Sequence, residues 1–412
     1  MTSLHAALRA DSVPAPEVTP SAQVIPPQLP TIEITPSTAE PVVFDESTSE
    51  LDRSLPPRTA LLHVTDAPVD DGQRRFHLSF HLDGRREESL ETRSQVDIDI
   101  SLVRVAERAA WKADHDLIRS WWKELFQLRE WIDRLLVSRS DDVRLLVWDT
   151  MAASQIPWEL YYLDDYEDGK PSGWLGTMID IVRWTSVLRP DRQDRFTGEL
   201  TAATGPMLLM QTADVFGTGV RKLAEPHGPP ALDHMEGLLA ELGRADLRFA
   251  LLMMHCHGVN ATNANEFKLA GITLTDLEYR PMPAVQGSRP VVVLNACNTA
   301  KGVPVGPESQ VANRSFAELF LRKGAASVVA TLGNVGLEHT QEFVYQLLNA
   351  DGDDRRVARF LRRHRARYAA RVAIERVPEE WNYREFFYSF MYVCFGHPDT
   401  TLHLQGPARE AE

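Results

Sequence analysis

From about residue 206 onward, short apolar runs alternate with stretches in which apolar residues recur every three or four positions. Residues 206–211 (PMLLMQ), 247–256 (LRFALLMMHC), 290–296 (PVVVLNA) and 326–332 (ASVVATL) are runs of the first kind, and they predict buried strands. Residues 232–242, 309–323, 338–348 and 353–372 carry helical spacing. In the first of these, Met235, Leu238, Leu239 and Leu242 share one face. Gly324 follows the second as a C-terminal cap. Alternation of this kind predicts an α/β fold with a mostly parallel sheet flanked by helices.

The first half is less regular. Residues 59–65 and 75–82 read as two strands around a turn-rich 66–72. Over 116–137 the period becomes helical, and Ile118, Trp121, Trp122, Leu125, Phe126, Trp131, Ile132, Leu135 and Leu136 form a broad apolar face suited to a core. Residues 143–148 read as a buried strand, and 156–162 (IPWELYY) as a tight turn entering an apolar element. Before all of this, residues 11–57 are dense in Pro, Ser, Thr and Glu and poor in aromatics, the composition of a disordered or extended tail. It would serve as a solubilising linker, a docking arm or a removable pro-segment. The resulting division is a tail over 1–57, an N-terminal α/β unit over 58–200, a second unit over 201–405 and a short tail over 406–412. The boundary near 197–205 rests on composition alone.

Composition narrows the functional classes. The formal charge of −14 argues against broad nucleic-acid binding. The arginine-dense stretch 353–372 does not reverse this: Val357, Phe360, Leu361 and Tyr368 mark a buried stripe, and the basic remainder reads as a solvated face, with an acidic-partner surface as the other reading. No apolar run approaches the ~18–20 residues that span a bilayer, and the start lacks a basic segment followed by an apolar one. A cytoplasmic protein without a membrane partner is expected. Three cysteines, Cys256, Cys297 and Cys394, make a poor disulfide framework and suit a reducing compartment, which leaves each open to chemistry.

Two predicted strand ends carry reactive side chains. One runs into His255-Cys256-His257-Gly258 and the other into Asn295-Ala296-Cys297-Asn298-Thr299. In an open α/β sheet, sites lie beyond the carboxyl ends of the strands, so parallel neighbours would bring His257 and Cys297 to one edge. An imidazole there can take the thiol proton and later protonate a leaving amine. Gly258, lacking a Cβ, would let a substrate carbonyl approach its N–H, and with the N–H of Cys297 it could hold an oxyanion. Spacing alone leaves two other readings open. A buried cysteine at a strand end is often structural. His255, Cys256 and His257 could also be metal ligands, although adjacent strand residues point to opposite faces and no closed-site spacing accompanies them.

The strand ending in His-Gly, the segment LNACNTA and the stretch RSFAELFLRKGAASVVATLGNV together resemble the CHAT family, the caspase-like proteins associated with tetratricopeptide repeats. IPWEL at 156–160 is similar to an upstream segment of that family, and FYSFMYVCFGHP at 387–398 to its closing strand, so the likeness runs from about residue 58 to 404. The resemblance implies a caspase/separase-like fold and an intracellular cysteine endopeptidase with a Cys-His dyad, His257 and Cys297, acting on a protein substrate, with a role in bacterial defence or signalling. It implies no cofactor. Cys256 becomes a packing residue and Cys394 a core residue of the last strand. Three departures matter. Gly333-Asn334-Val335-Gly336 replaces the family's Trp-x-Val-Asp-Asp near the substrate cleft. Asn295 stands where wider relatives place a residue of the S1 pocket, so Asn295, Gly333 and Asn334 are candidate pocket residues. The repeat array is missing, so any activation would have to come from another protein, the tail or a ligand, and an activator or sensor protein is expected as a partner. A catalytically inactive scaffold for protein assembly is the alternative.

Overall fold

The computed structural model of the chain describes residues 55–56, 58–67, 75–82, 85–93, 110–121, 126–139, 143–149, 156–164, 170–184, 202–212, 218–259, 263–304, 313–374 and 379–406. The expected tails over 1–57 and 406–412, apart from Leu55, Pro56 and Gly406, lie outside these residues.

Ten strands make one sheet. In chain order they are β1 (Thr59–Ala67), β2 (Arg75–Leu82), β3 (Arg85–Arg93), β4 (Arg144–Asp149), β5 (Asp180–Trp184), β6 (Met207–Gln211), β7 (Leu251–His255), β8 (Val291–Asn295), β9 (Ser327–Thr331) and β10 (Tyr392–Gly396). Across the sheet they run β3-β2-β1-β4-β5-β10-β9-β8-β7-β6. The β3–β2, β2–β1 and β10–β9 pairs are antiparallel, and the other steps are parallel. The mixed α/β class with a mostly parallel sheet is therefore as the alternation predicts. The two expected units share this sheet: β1–β5 come from the first and β6–β10 from the second, and they join where β5 pairs with β10.

Strand alternation sends successive side chains to opposite faces. On one face Leu252, Met254, Val292, Leu294, Val328 and Val393 pack beneath three helices, α3 (Met235–Leu242), α4 (Phe316–Arg322) and α7 (Glu380–Met391). The α1 (Trp111–Trp121) and α2 (Phe126–Arg139) helices extend this layer through Ile118, Trp131 and Ile132. On the other face Leu251, Met253, Val291, Val293, Val329 and Tyr392 pack beneath α5 (Leu337–Leu348) and α6 (Val357–Ile374). The continuous apolar runs of β6–β9 follow from burial on both faces.

Four sequence expectations change. The helical run over 116–137 is two helices, α1 beginning already at Trp111, with 122–125 outside the described residues. The helix expected from 309 begins at Phe316, because Asn313–Arg314 pairs as a strand with Val303–Pro304. Ser315 caps it by accepting from the Glu318 N–H at 3.1 Å, the S-x-x-E arrangement that starts helices. The closing strand expected over 387–398 shortens to Tyr392–Gly396, because Tyr383, Phe386, Phe387 and Phe390 recur at helical spacing and complete α7. The arginines of α6 are not wholly a solvated face: Arg356, Arg359 and Arg362 gather on the fully buried Asp180 at 3.9, 3.4 and 3.1 Å, tying α6 to the first residue of β5. Arg363 and Arg367 face outward toward Asp354 and Glu342.

Candidate active site

The site is built by register. β7 and β8 are parallel neighbours, and their last paired residues are His255 and Asn295. His257 and Cys297 each stand two residues farther on, beyond the same edge of the sheet. Their parity matches Leu251, Met253, Val291 and Val293, which share one face. Cys256, one residue out of phase with His257, joins the opposite cluster with Met254 and Ala296 and is buried. His257 is exposed and Cys297 half-buried.

Backbones close in immediately after His257. A Cβ on Gly258 would lie 2.1 Å from the Cys297 carbonyl oxygen. No side chain larger than hydrogen fits that approach, so glycine after His257 is a steric requirement of this strand pair. Gly258–Val259 then pairs with Lys268–Leu269, and the Ala270 N–H donates to the His257 carbonyl at 2.9 Å, which fixes the histidine backbone.

Cys297 is held by the segment that follows β9. The Val335 N–H donates to Sγ, which favours the thiolate, but burial is the larger influence and pushes the thiol up. Asn298 N–H donates to the Gly333 carbonyl at 3.2 Å, and Asn298 Nδ2 to Asn334 Oδ1 at 3.1 Å. Asn298 has φ 60°, a left-handed conformation that asparagine tolerates better than most residues. Gly333 is buried and Asn334 half-buried. Gly333 and Asn334, expected near a pocket, thus brace the turn that carries the cysteine.

Asn295 is 2% exposed, and both ends of its amide are taken. Its Nδ2 meets His255 Nδ1 at 2.9 Å, and its Oδ1 accepts from the Tyr392 hydroxyl at 2.7 Å. Burial, then the charge of neighbouring His257, bring His255 down to about 4, so it is neutral at pH 7. Burial, then the nearby Cys297 sulfur, push the Tyr392 phenol well above its usual range. Sequence reading missed Tyr392, Val335 and Asn298 as neighbours of the cysteine. Only Asn298 carried a local signal, an asparagine directly after a strand-end residue.

Among the described residues no helix is long and apolar enough to cross a membrane, and no group of three or more His, Cys, Asp or Glu side chains could hold a metal ion.

Comparison with known proteins matches residues 227–392 to the family described as CHAT domain. That stretch runs from just before α3 to the first residue of β10 and includes both strand ends. Over those residues the chain is similar to the CHAT domain family. Among solved structures, the Arg specific cysteine proteinase gingipain R is 11% identical, with 68% of this chain and 69% of that chain covered and a TM-score of 0.42. A complex of the pro- and mature domains of the Porphyromonas gingivalis protein is 12% identical, with 68% and 70% covered and a TM-score of 0.42. Saccharomyces cerevisiae separase in its securin complex is 10% identical, with 85% of this chain and 31% of that chain covered and a TM-score of 0.49. No curated protein sequence matches the chain. Within that stretch, His257 and Cys297 each follow, by two residues, the end of one of two adjacent parallel strands.

Proposed function

We propose that this chain is a caspase-like cysteine endopeptidase of the cytoplasm, with Cys297 as nucleophile and His257 as its base. The observation that carries the reading is the shared register: His255 pairs with Asn295, and His257 and Cys297 stand at equal offsets past that pair with matching parity. His257 takes the thiol proton as Sγ attacks the peptide carbonyl, and the N–H groups of Gly258 and Cys297 stabilise the oxyanion. The imidazolium then protonates the leaving amine as the C–N bond breaks, leaving a thioester. Water attacks that thioester with His257 again as base, which frees the acid and restores the thiol. No cofactor enters these steps. The substrate is a specific protein partner, and a second protein supplies the activating signal; bacterial defence or signalling is the proposed setting.

The test is a search for new protein termini made by the wild-type chain and absent with Cys297→Ala and with His257→Ala. Cleavage that persists in Cys297→Ala overturns the reading. One observation favours the alternative of a non-catalytic scaffold: burial leaves the Cys297 thiol above its ordinary range. A scaffold would yield no new termini from any variant.

A further inference from the structure

The strands that carry the dyad are apolar along their buried length until their last paired residues. There, His255 and Asn295 face each other across β7 and β8, with Tyr392 at the start of β10 reaching in from beyond β9. Their exposures are 0%, 2% and 0%. Burying three polar side chains where leucine or valine would serve a core costs free energy unless each finds a partner. Here the partners are one another, and the directions are fixed. The Tyr392 hydroxyl has one proton and gives it to Asn295 Oδ1 at 2.7 Å. That sets the amide orientation, so Nδ2 donates to His255 Nδ1 at 2.9 Å, and His255 carries its own proton on Nε2. Tyr392 cannot drift, because its ring stacks on Phe343 of α5 with centroids 3.9 Å apart and planes 6° from parallel.

We propose that Asn295 is a positioning residue of the candidate dyad: its amide, anchored by Tyr392 and bonded to His255, fixes the spacing of the two strand ends that carry His257 and Cys297. The proposal rests on the dyad reading above. Asn295 acts through two backbones, which leave their strands and continue for two residues to His257 and to Cys297, the latter in a turn. The close approach of Gly258 to the Cys297 carbonyl shows how little slack remains at that level. The same commitment removes Asn295 from the pocket role expected of it, since neither end of its amide is left to meet a substrate side chain.

The test uses the full chain and the rate at which iodoacetamide alkylates Cys297 across pH 5–9. Asn295→Leu should slow alkylation about tenfold at pH 7 and move the acid limb of the profile to higher pH, since misplaced groups lose their mutual activation. Tyr392→Phe deletes only the hydroxyl and keeps the stacked ring, so it serves if Asn295→Leu does not fold; about a threefold slowing is expected. Both effects should vanish in a His257→Ala background, where there is no pairing left to position. A purely structural role would lower the melting temperature and leave the acid limb in place, and that result overturns the proposal. So does a slowing of equal size with and without His257. If His257→Ala alone leaves the wild-type rate unchanged, the dyad itself fails. If His257→Ala slows alkylation and neither Asn295→Leu nor Tyr392→Phe does, only the positioning role fails.

Discussion

Gly258→Ala is the sharpest test of how the two strand ends meet. Gly258 is not in the left-handed region, so alanine there suffers no conformational penalty. Its cost is contact. The new methyl carbon would lie 2.1 Å from the Cys297 carbonyl oxygen, 3.1 Å from its carbon and 3.3 Å from its nitrogen. An ordinary non-bonded contact needs roughly 1 Å more than the shortest of these. All three obstacles are backbone atoms, so no side chain can rotate away, and the strand ends must part. Overpacking of this kind costs about 1–3 kcal/mol. Urea unfolding of the full chain should therefore show a lower midpoint with an unchanged slope. A displacement of about 1 Å between catalytic groups is worth about 100-fold in rate, so any cleavage activity should fall by that order. Gly237→Ala on α3 is the control: its Cβ meets only the Leu232 side chain at 3.9 Å, and it should stabilise by about 0.5–1 kcal/mol. A Gly258→Ala protein with the wild-type midpoint would refute the close approach.

Three further outcomes follow from burial and charge. Limited alkylation at pH 7.5, read by mass spectrometry, should modify Cys297 well before Cys256 or Cys394, because burial pushes those two thiols up to about 12 and about 11. Labelling of all three at similar rates would contradict the burial of Cys256 and Cys394. Arg183→Met should destabilise by about 3–5 kcal/mol in urea unfolding, since it strands Glu159, fully buried and bonded to Arg183 at 2.5 and 3.0 Å. Burial pushes the Glu159 carboxyl up, but Arg183, joined by Arg365 and a backbone hydrogen bond, outweighs it and holds the group below its ordinary range, so this stability is present at neutral pH and is lost as pH falls through that low value. His255 loads the acid side as well. Its folded value is about 4 against an ordinary 6.5, so the unfolded chain takes up a proton that the folded one refuses. Stability from this group is complete above pH ~6.5 and declines by about 3 kcal/mol as pH drops toward 4. Comparing His255→Gln with wild type at pH 7.5 and 4.5 should show the difference shrinking at the lower pH.

The strands around the candidate site were legible because burial on both faces writes them as unbroken apolar runs. The predicted ends of β7 and β8 fell within one residue of where pairing stops, and the placement of His257 and Cys297 past them follows from counting. What escaped prediction depends on contacts distant in sequence. Asn295 reads as a lone polar residue at a strand end until Tyr392, 97 positions later, is brought beside it. Phe387–Met391 looks like strand because aromatic residues suit both structures, and only the packing of Phe386 and Phe390 against Trp174 at 5.1 and 6.1 Å resolves it as helix. β5 (DIVRW) was missed because Asp180 opens it with a charge. The three arginines that make a buried aspartate tolerable lie on α6 and just before it, nearly 180 residues away.

Cys297 is subject to two opposed influences, and their balance bears on the kind of catalysis the proposed dyad can perform. The Val335 N–H points at the sulfur and lowers the cost of a thiolate, while burial raises it by more. In that balance Cys297 depends on a neighbouring imidazole to reach the thiolate. In the proposed dyad His257 is that imidazole, so the spacing between the two groups decides how far the sulfur is activated. The donor to sulfur comes from Gly333-Asn334-Val335-Gly336, the segment in which the sequence departs from the CHAT family it resembles. Tyr388 of α7 packs over the end of that segment, where a Cβ on Gly336 would come within 2.7 Å of the tyrosine ring. That segment is therefore in direct contact with Cys297, and α7 packs against its far end through Tyr388.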